Sequence, residues 1–205
     1  MSLLSAIVVS AIAWLSFGVG HSLLAADALR APMQRWFGKA ERLAYNGIAL
    51  IHLMLVLAIC RWAFAGQLPF ALAPVVQIGL HAVQLLAVVL LVLALREYDM
   101  PLFLGLRQWS QGAAIASQGV SEQLVVIGLH RYVRHPLYSA SILLLLASVT
   151  DPYTLATALF ATVYFVIGLR FEERKLQRLY GAAYQAYRAR TPALVPAWGR
   201  HHLSA

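Results

Sequence analysis

Residues able to do chemistry are concentrated in two short stretches. The first, HRYVRHPLY (130–138), sets Arg131, Arg134, the imidazoles of His130 and His135, Pro136 and the phenols of Tyr132 and Tyr138 just ahead of the apolar run SILLLLA. The second opens on the acid pair Glu172-Glu173 and continues as EERKLQRLYGAAYQAYRAR (172–190). A plain reading makes Arg131 and Arg134 snorkelling cations at a membrane border and Pro136 an ordinary first-turn residue. His135 and the acid pair argue for more, because ionisable groups near or inside a bilayer are costly and usually mark a site. An open first helical turn after His135 would present N–H groups and a positive dipole end to a carboxylate, with Arg134 adding a charge-assisted bond. Glu172 or Glu173 would take an ammonium, a ribose diol or a positive centre, and Tyr132 and Tyr138 would supply aromatic faces. S-adenosyl-L-methionine, a zwitterionic nucleoside carrying a sulfonium, meets all of these demands. Nucleotides and lipid headgroups also fit.

The elements that must position these groups are membrane helices. The 205 residues are 61% hydrophobic and 12% charged, with mean hydropathy +0.71, against about one-half apolar and one-quarter charged in soluble domains. Five spans are expected, near 3–25, 42–65, 75–96, 137–150 and 153–171. The fourth is short beside the roughly 20 residues a crossing needs. Asp151-Pro152 turns it into the fifth as an antiparallel hairpin, 137–171. That hairpin would bring the bend at 134–135 beside the acids at 172–173. Loop 26–41, the segment 96–136 and the tail are rich in Arg and Lys, whereas the opposite side has Arg61. The positive-inside rule then puts the N-terminus outside and the C-terminus inside. The first helix lacks a basic leader and reads as retained. Residues 65–74 and 112–123 read as loops. Residues 172–190 read as an amphipathic cytoplasmic helix with Leu176, Leu179, Tyr180, Ala183 and Tyr187 on one stripe, a kink at Gly181, and an end at Pro192 and Pro196. The fold class is all-α, one polytopic membrane domain over 1–205. Residues 1–96 form a scaffold and acceptor side, and 97–205 the cofactor-binding part. The net charge of +8 suits anionic lipid rather than nucleic acid, and the single Cys60 excludes an internal disulfide.

The two motifs together, GLHRYVRHPLY (128–138) and FEERKLQRLYGAAYQAYRARTPALVP (171–196), resemble the isoprenylcysteine carboxyl methyltransferase superfamily, which includes bacterial thiol and phospholipid methyltransferases. Its pattern, an R-H-P-x-Y loop followed after a hairpin by E-E-x-x-L-x-x-x-[FY]-G-x-x-Y-x-x-Y and a closing proline, is matched by Arg134, His135, Pro136, Tyr138, Glu172, Glu173, Leu176, Tyr180, Gly181, Tyr184, Tyr187 and Pro196. His130 departs from it, standing where a Tyr is common. The N-terminal stretch GVGHSLLAADALRAPMQRWFGKAERLAYNGIAL is similar to the NnrU family of membrane proteins and points to a bacterial chain. The resemblance implies an S-adenosylmethionine-dependent membrane methyltransferase without a Rossmann domain. Its cofactor site would draw on His130, Arg131, Val133, Arg134, His135, Pro136, Tyr138, Glu172, Glu173, Tyr184 and Tyr187, with Arg134 and Glu173 at the chemistry. The implied acceptor is small and apolar or lipid-like: a thiol, an amine headgroup or a carboxylate. The implied location is a bacterial inner membrane with the site facing the cytoplasm.

Three histidines, His21, His52 and His81, fall within the first three spans. Their depths below the basic side, about 6, 15 and 22 Å at 1.5 Å per residue, do not suit one shared metal ion. Helix–helix hydrogen bonding is the simpler reading. A His52/His81 haem pair in a non-enzymatic electron-transfer subunit or assembly factor is the competing reading. Trp14, Trp36, Trp62 and Trp109 read mostly as interfacial anchors.

Overall fold

The computed structural model describes residues 1–111 and 124–196. The loop expected at 112–123 and the tail histidines His201 and His202 lie outside the described residues. The elements are helical: α1 (Leu3–Leu24), α2 (Asp27–Phe37), a 3-10 turn (Gly38–Ala40), α3 (Glu41–Ala63), α4 (Pro74–Leu95), α5 (Met100–Leu104), α6 (Leu106–Gln111), a second 3-10 turn (Gly128–Arg131), α7 (Pro136–Ala147) and α8 (Pro152–Arg190). Four helices, those containing α1, α3, α4 and α8, are long and apolar enough to cross a membrane; α7 is a shorter apolar helix. At 1.5 Å per residue its 12 residues reach only about 18 Å.

Among the described residues the chain sorts into two compact units. The first contains residues 1–70, 99–111 and 150–160. Here α1 buries Ala6, Ser10, Ala13 and Phe17, a three-four spaced stripe that faces one side of the helix. Its small members let α3 approach with Val56, Cys60 and Ala63, the usual device for helix packing in lipid. Ala6, Ala63, Phe64 and Ala156 join in a buried cluster. Polar side chains between α1 and α3 pair with each other: Tyr45 Oη lies 2.8 Å from His21 Nε2, and Ser16 Oγ lies 3.2 Å from His52 Nε2. Both histidines thus make the helix–helix bonds expected of them. Trp14 is buried, so it is a packing residue of mid-helix and not an interfacial anchor.

The second unit contains residues 71–98, 124–149 and 161–196. α4 packs along α7, and Gln84 Nε2 donates to the Ala147 carbonyl at 3.1 Å, satisfying an acceptor left open at the helix end. In the first unit the turn into α8 forms as expected, with Thr154 N donating to Asp151 Oδ1 at 2.8 Å and Pro152 opening the helix.

Three expectations need correcting. The stretch 26–41 is largely helix, α2, despite Pro32 inside it. Residues 172–190 are not a separate helix but the continuation of α8 without a break at 171. The break falls where the sequence placed a kink, at Gly181, whose φ of 53° and ψ of −124° are non-helical. That interruption rephases the helix beyond it. Leu179 and Ala183 are exposed, while Tyr184 is buried and Tyr187 half-buried.

Candidate active site

Everything at the predicted bend belongs to the second unit. The backbone leaves the 3-10 turn, buries Val133, and enters α7 at Pro136, whose ring suits the first helical position. Just upstream, Arg134 N donates to the Pro192 carbonyl at 2.9 Å and His135 N to the Ala193 carbonyl at 3.1 Å. Ser139 Oγ reaches the Leu194 carbonyl at 2.6 Å. The segment following α8 therefore folds back onto the bend and takes up the amides of Arg134 and His135, which precede the first turn of α7.

The side chains converge. Arg134 Nε donates to Glu173 Oε1 at 2.8 Å, its Nη2 pairs with the same oxygen, and its Nη1 donates to the carbonyls of Thr191 and Arg188, the latter at 3.3 Å. All three guanidinium nitrogens are thus engaged inside the chain. His135, 4% exposed, stands between the acids, with Nε2 3.4 Å from Glu173 Oε1 and Nδ1 3.7 Å from Glu172 Oε2. Its ring stacks on Tyr138 at 5.6 Å, and Tyr138 stacks on Phe165 at 5.4 Å. On α8, Phe165, Gly168 and Glu172 share one face by three-four spacing. Tyr184 and Tyr187 meet edge to face at 6.0 Å, and Tyr187 Oη donates to the His130 carbonyl at 2.6 Å.

Of the predicted residues, the structure brings Arg134, His135, Tyr138, Glu172 and Glu173 into one cluster. His130, Val133, Pro136, Tyr184 and Tyr187 form its supports. Arg131 is exposed, as is the ring of Tyr132. Two participants went unforeseen. Glu97, just past α4, accepts from Leu129 N at 2.7 Å and lies 3.6 Å from His130 Nε2. Tyr98 places its ring 6.4 Å from that of His130. The sequence signal was an acid and a phenol, REYD, at the end of an apolar span, where charge is unusual.

Electrostatics divides the roles. Burial lowers the His135 pKa; the charges of Glu172 and Glu173 pull upward and Arg134 pushes down, leaving it below the ordinary 6.5. For Glu173 burial pushes upward, but the Arg134 bonds and charge outweigh it and the carboxyl titrates below its usual 4.5. Burial, with the charges of Glu172 and Glu97, drives the Tyr98 phenol up to about 12. The cluster at neutral pH therefore holds a neutral imidazole beside the Glu173 carboxylate and neutral phenols. Glu173 is paired at Oε1 with Arg134 and has Arg188 Nε 3.7 Å from Oε2, whereas the Glu172 side chain is 41% exposed and outside that pairing. An exposed acid next to stacked rings suits a cationic or diol-bearing ligand. Among the described residues no group of three or more His, Cys, Asp and Glu is placed to hold a metal ion.

Relatives agree with a transfer enzyme set in a membrane. Methanethiol S-methyltransferase 2 of Bradyrhizobium diazoefficiens is 32% identical over 203 residues, covering 93% of this chain and 73% of the relative. Methanethiol S-methyltransferase of Crocosphaera subtropica is 35% identical over 74 residues, 35% of this chain and 28% of the relative. Methanethiol S-methyltransferase 1 of Bradyrhizobium diazoefficiens is 37% identical over 73 residues, 35% of this chain and 25% of the relative. No family model and no solved structure matches. Helices fit to span a bilayer and similarity over nearly the whole chain define a membrane methyltransferase. The chain belongs to the methanethiol S-methyltransferase family. Membership overturns the non-enzymatic alternative of a haem subunit or assembly factor.

Proposed function

We propose that the protein is an S-adenosylmethionine-dependent thiol S-methyltransferase acting on a small apolar thiol. The observation that carries this reading is the convergence of Arg134 and His135 with Glu172 and Glu173. The names of the relatives support a thiol acceptor. The likeness to the isoprenylcysteine carboxyl methyltransferase superfamily supports the methyl donor.

Bound S-adenosylmethionine supplies a methyl group already activated on a sulfonium sulfur. The chain then mainly has to hold acceptor and methyl in line with water excluded. Glu172 takes the donor's ammonium, ribose or positive centre, and the Tyr138–Phe165 stack receives its adenine. Arg134 braces Glu173 and the 188–191 backbone instead of holding the donor's carboxylate directly, because its nitrogens are already engaged. A thiol must lose its proton to become a good nucleophile. Neutral His135 is the group to take it, and the flanking carboxylates stabilise the imidazolium that results. Lipid amines and carboxyls are the other acceptors, and the names of the relatives favour the thiol over them.

The same reading takes α7 as a fifth, thin crossing, the N-terminus outside and the basic loops inside, so that the soluble donor enters from the cytoplasm of a bacterial inner membrane. The apolar acceptor arrives through the bilayer. The test is purified protein in nanodiscs with methyl-labelled donor, offered methanethiol, phosphatidylethanolamine or a prenylcysteine. Labelled dimethyl sulfide in the headspace is expected; label in lipid with none in the headspace overturns the acceptor assignment.

A further inference from the structure

Glu97 is a half-hidden anchor of the motif turn. Its Oε1 accepts the Leu129 N–H at 2.7 Å, and its Oε2 lies 3.6 Å from His130 Nε2. The other imidazole nitrogen, Nδ1, is 3.1 Å from the Arg134 carbonyl. The His130 ring thus sits between two acceptor oxygens, the Arg134 carbonyl within hydrogen-bond distance of Nδ1 and the Glu97 carboxylate facing Nε2. It ties an acid beyond α4 to the backbone of Arg134. Gly128 completes the arrangement: its φ is +50°, and a Cβ there would collide with the Glu97 carboxylate. Tyr187 holds the His130 carbonyl from the α8 side. The turn is fixed from two elements at once, and Arg134 and His135 follow it directly.

We propose that Glu97 is a positioning residue for methyl transfer, acting through Leu129 and His130 to set the bend that delivers Arg134 and His135 to the acid pair. This rests on the reading of that bend as the donor site. Glu97 touches neither donor nor acceptor in this scheme. It sets the register of the residues that do, much as outer-shell partners orient ligands elsewhere.

The test uses the full chain in nanodiscs with Glu97→Ala, Glu97→Gln and His130→Phe. Calorimetry with S-adenosylhomocysteine and the KM values for donor and thiol are measured. Loss of a charged hydrogen bond predicts a donor KM and S-adenosylhomocysteine Kd raised roughly tenfold in Glu97→Ala, with the thiol KM unchanged. Glu97→Gln keeps an acceptor for Leu129 N and falls between wild type and Ala. His130→Phe added to Glu97→Ala causes little further loss. Should Glu97→Ala fail to fold, Glu97→Gln decides. Wild-type donor affinity in the Glu97 variants, or equal loss for donor and thiol, overturns the proposal. A wild-type protein that gives no heat with S-adenosylhomocysteine instead removes the donor-site reading itself.

Discussion

Replacing Arg134 with methionine keeps an unbranched apolar stem and removes the guanidinium and its charge. In the folded protein this strips Glu173, 12% exposed at its side chain, of two donors. It also strips the Thr191 and Arg188 carbonyls of another. Breaking one side of a buried ion pair destabilises by about 3–5 kcal/mol, a large share of a typical total of about 5–15 kcal/mol. Glu173→Gln alone leaves the guanidinium, 8% exposed, without its anion and falls in the same range. The double variant removes the pair once. It leaves mainly the Thr191 carbonyl without its donor, at about 1–3 kcal/mol. The two singles therefore sum to at least about 3 kcal/mol more than the double. Reversible unfolding in mixed micelles of fixed composition, followed by tryptophan fluorescence, measures all four corners of the cycle. Additive losses, or an Arg134→Met protein within about 0.5 kcal/mol of wild type, the scatter expected of an ordinary surface site, would refute the brace.

Other perturbations follow from the same geometry. The folded-state pKa of His135 lies below 6.5, so between the two values the unfolded chain binds more protons. Stability is level above 6.5 and declines as pH falls below it; His135→Gln flattens that limb in unfolding midpoints taken on either side of 6.5. Gly181→Ala, at φ +53° with nothing near the added Cβ, costs about 1–2 kcal/mol of backbone strain alone. Gly128→Ala adds a collision with Glu97 and destabilises more, which the same unfolding assay ranks. Tyr187→Phe removes the bond to the His130 carbonyl and lowers stability by about 1 kcal/mol in the same assay.

Much of this was legible because lipid imposes simple rules. Spans announce themselves by apolar length, and α1, α3 and α4 begin and end within two residues of their expected limits. The hairpin was readable from Asp151-Pro152, and with it the meeting of Arg134 and His135 with Glu172 and Glu173. What escaped depended on longer or subtler causes. α2 is short and polar and contains Pro32, so neither hydropathy nor a breaker rule marks it. The stripe on 172–190 was drawn at constant phase, whereas one glycine in a non-helical conformation resets it. Glu97 acts across 32 positions of sequence, and nothing local in REYD names Leu129 as its partner. Nor did spacing reveal that Arg134 would spend its nitrogens on its own chain, because the Thr191 and Arg188 carbonyls are backbone groups and every residue has one.

The return of residues 192–194 over the bend has a consequence for biosynthesis. A ribosome completes the Arg134-His135 step about sixty residues before it adds Leu194, which at roughly 5–20 residues per second is a wait of some 3–12 seconds. Through that interval the emerging polypeptide carries two amides and a guanidinium whose final acceptors have not been made. The bend is thus closed only once residues 191–194 have been made.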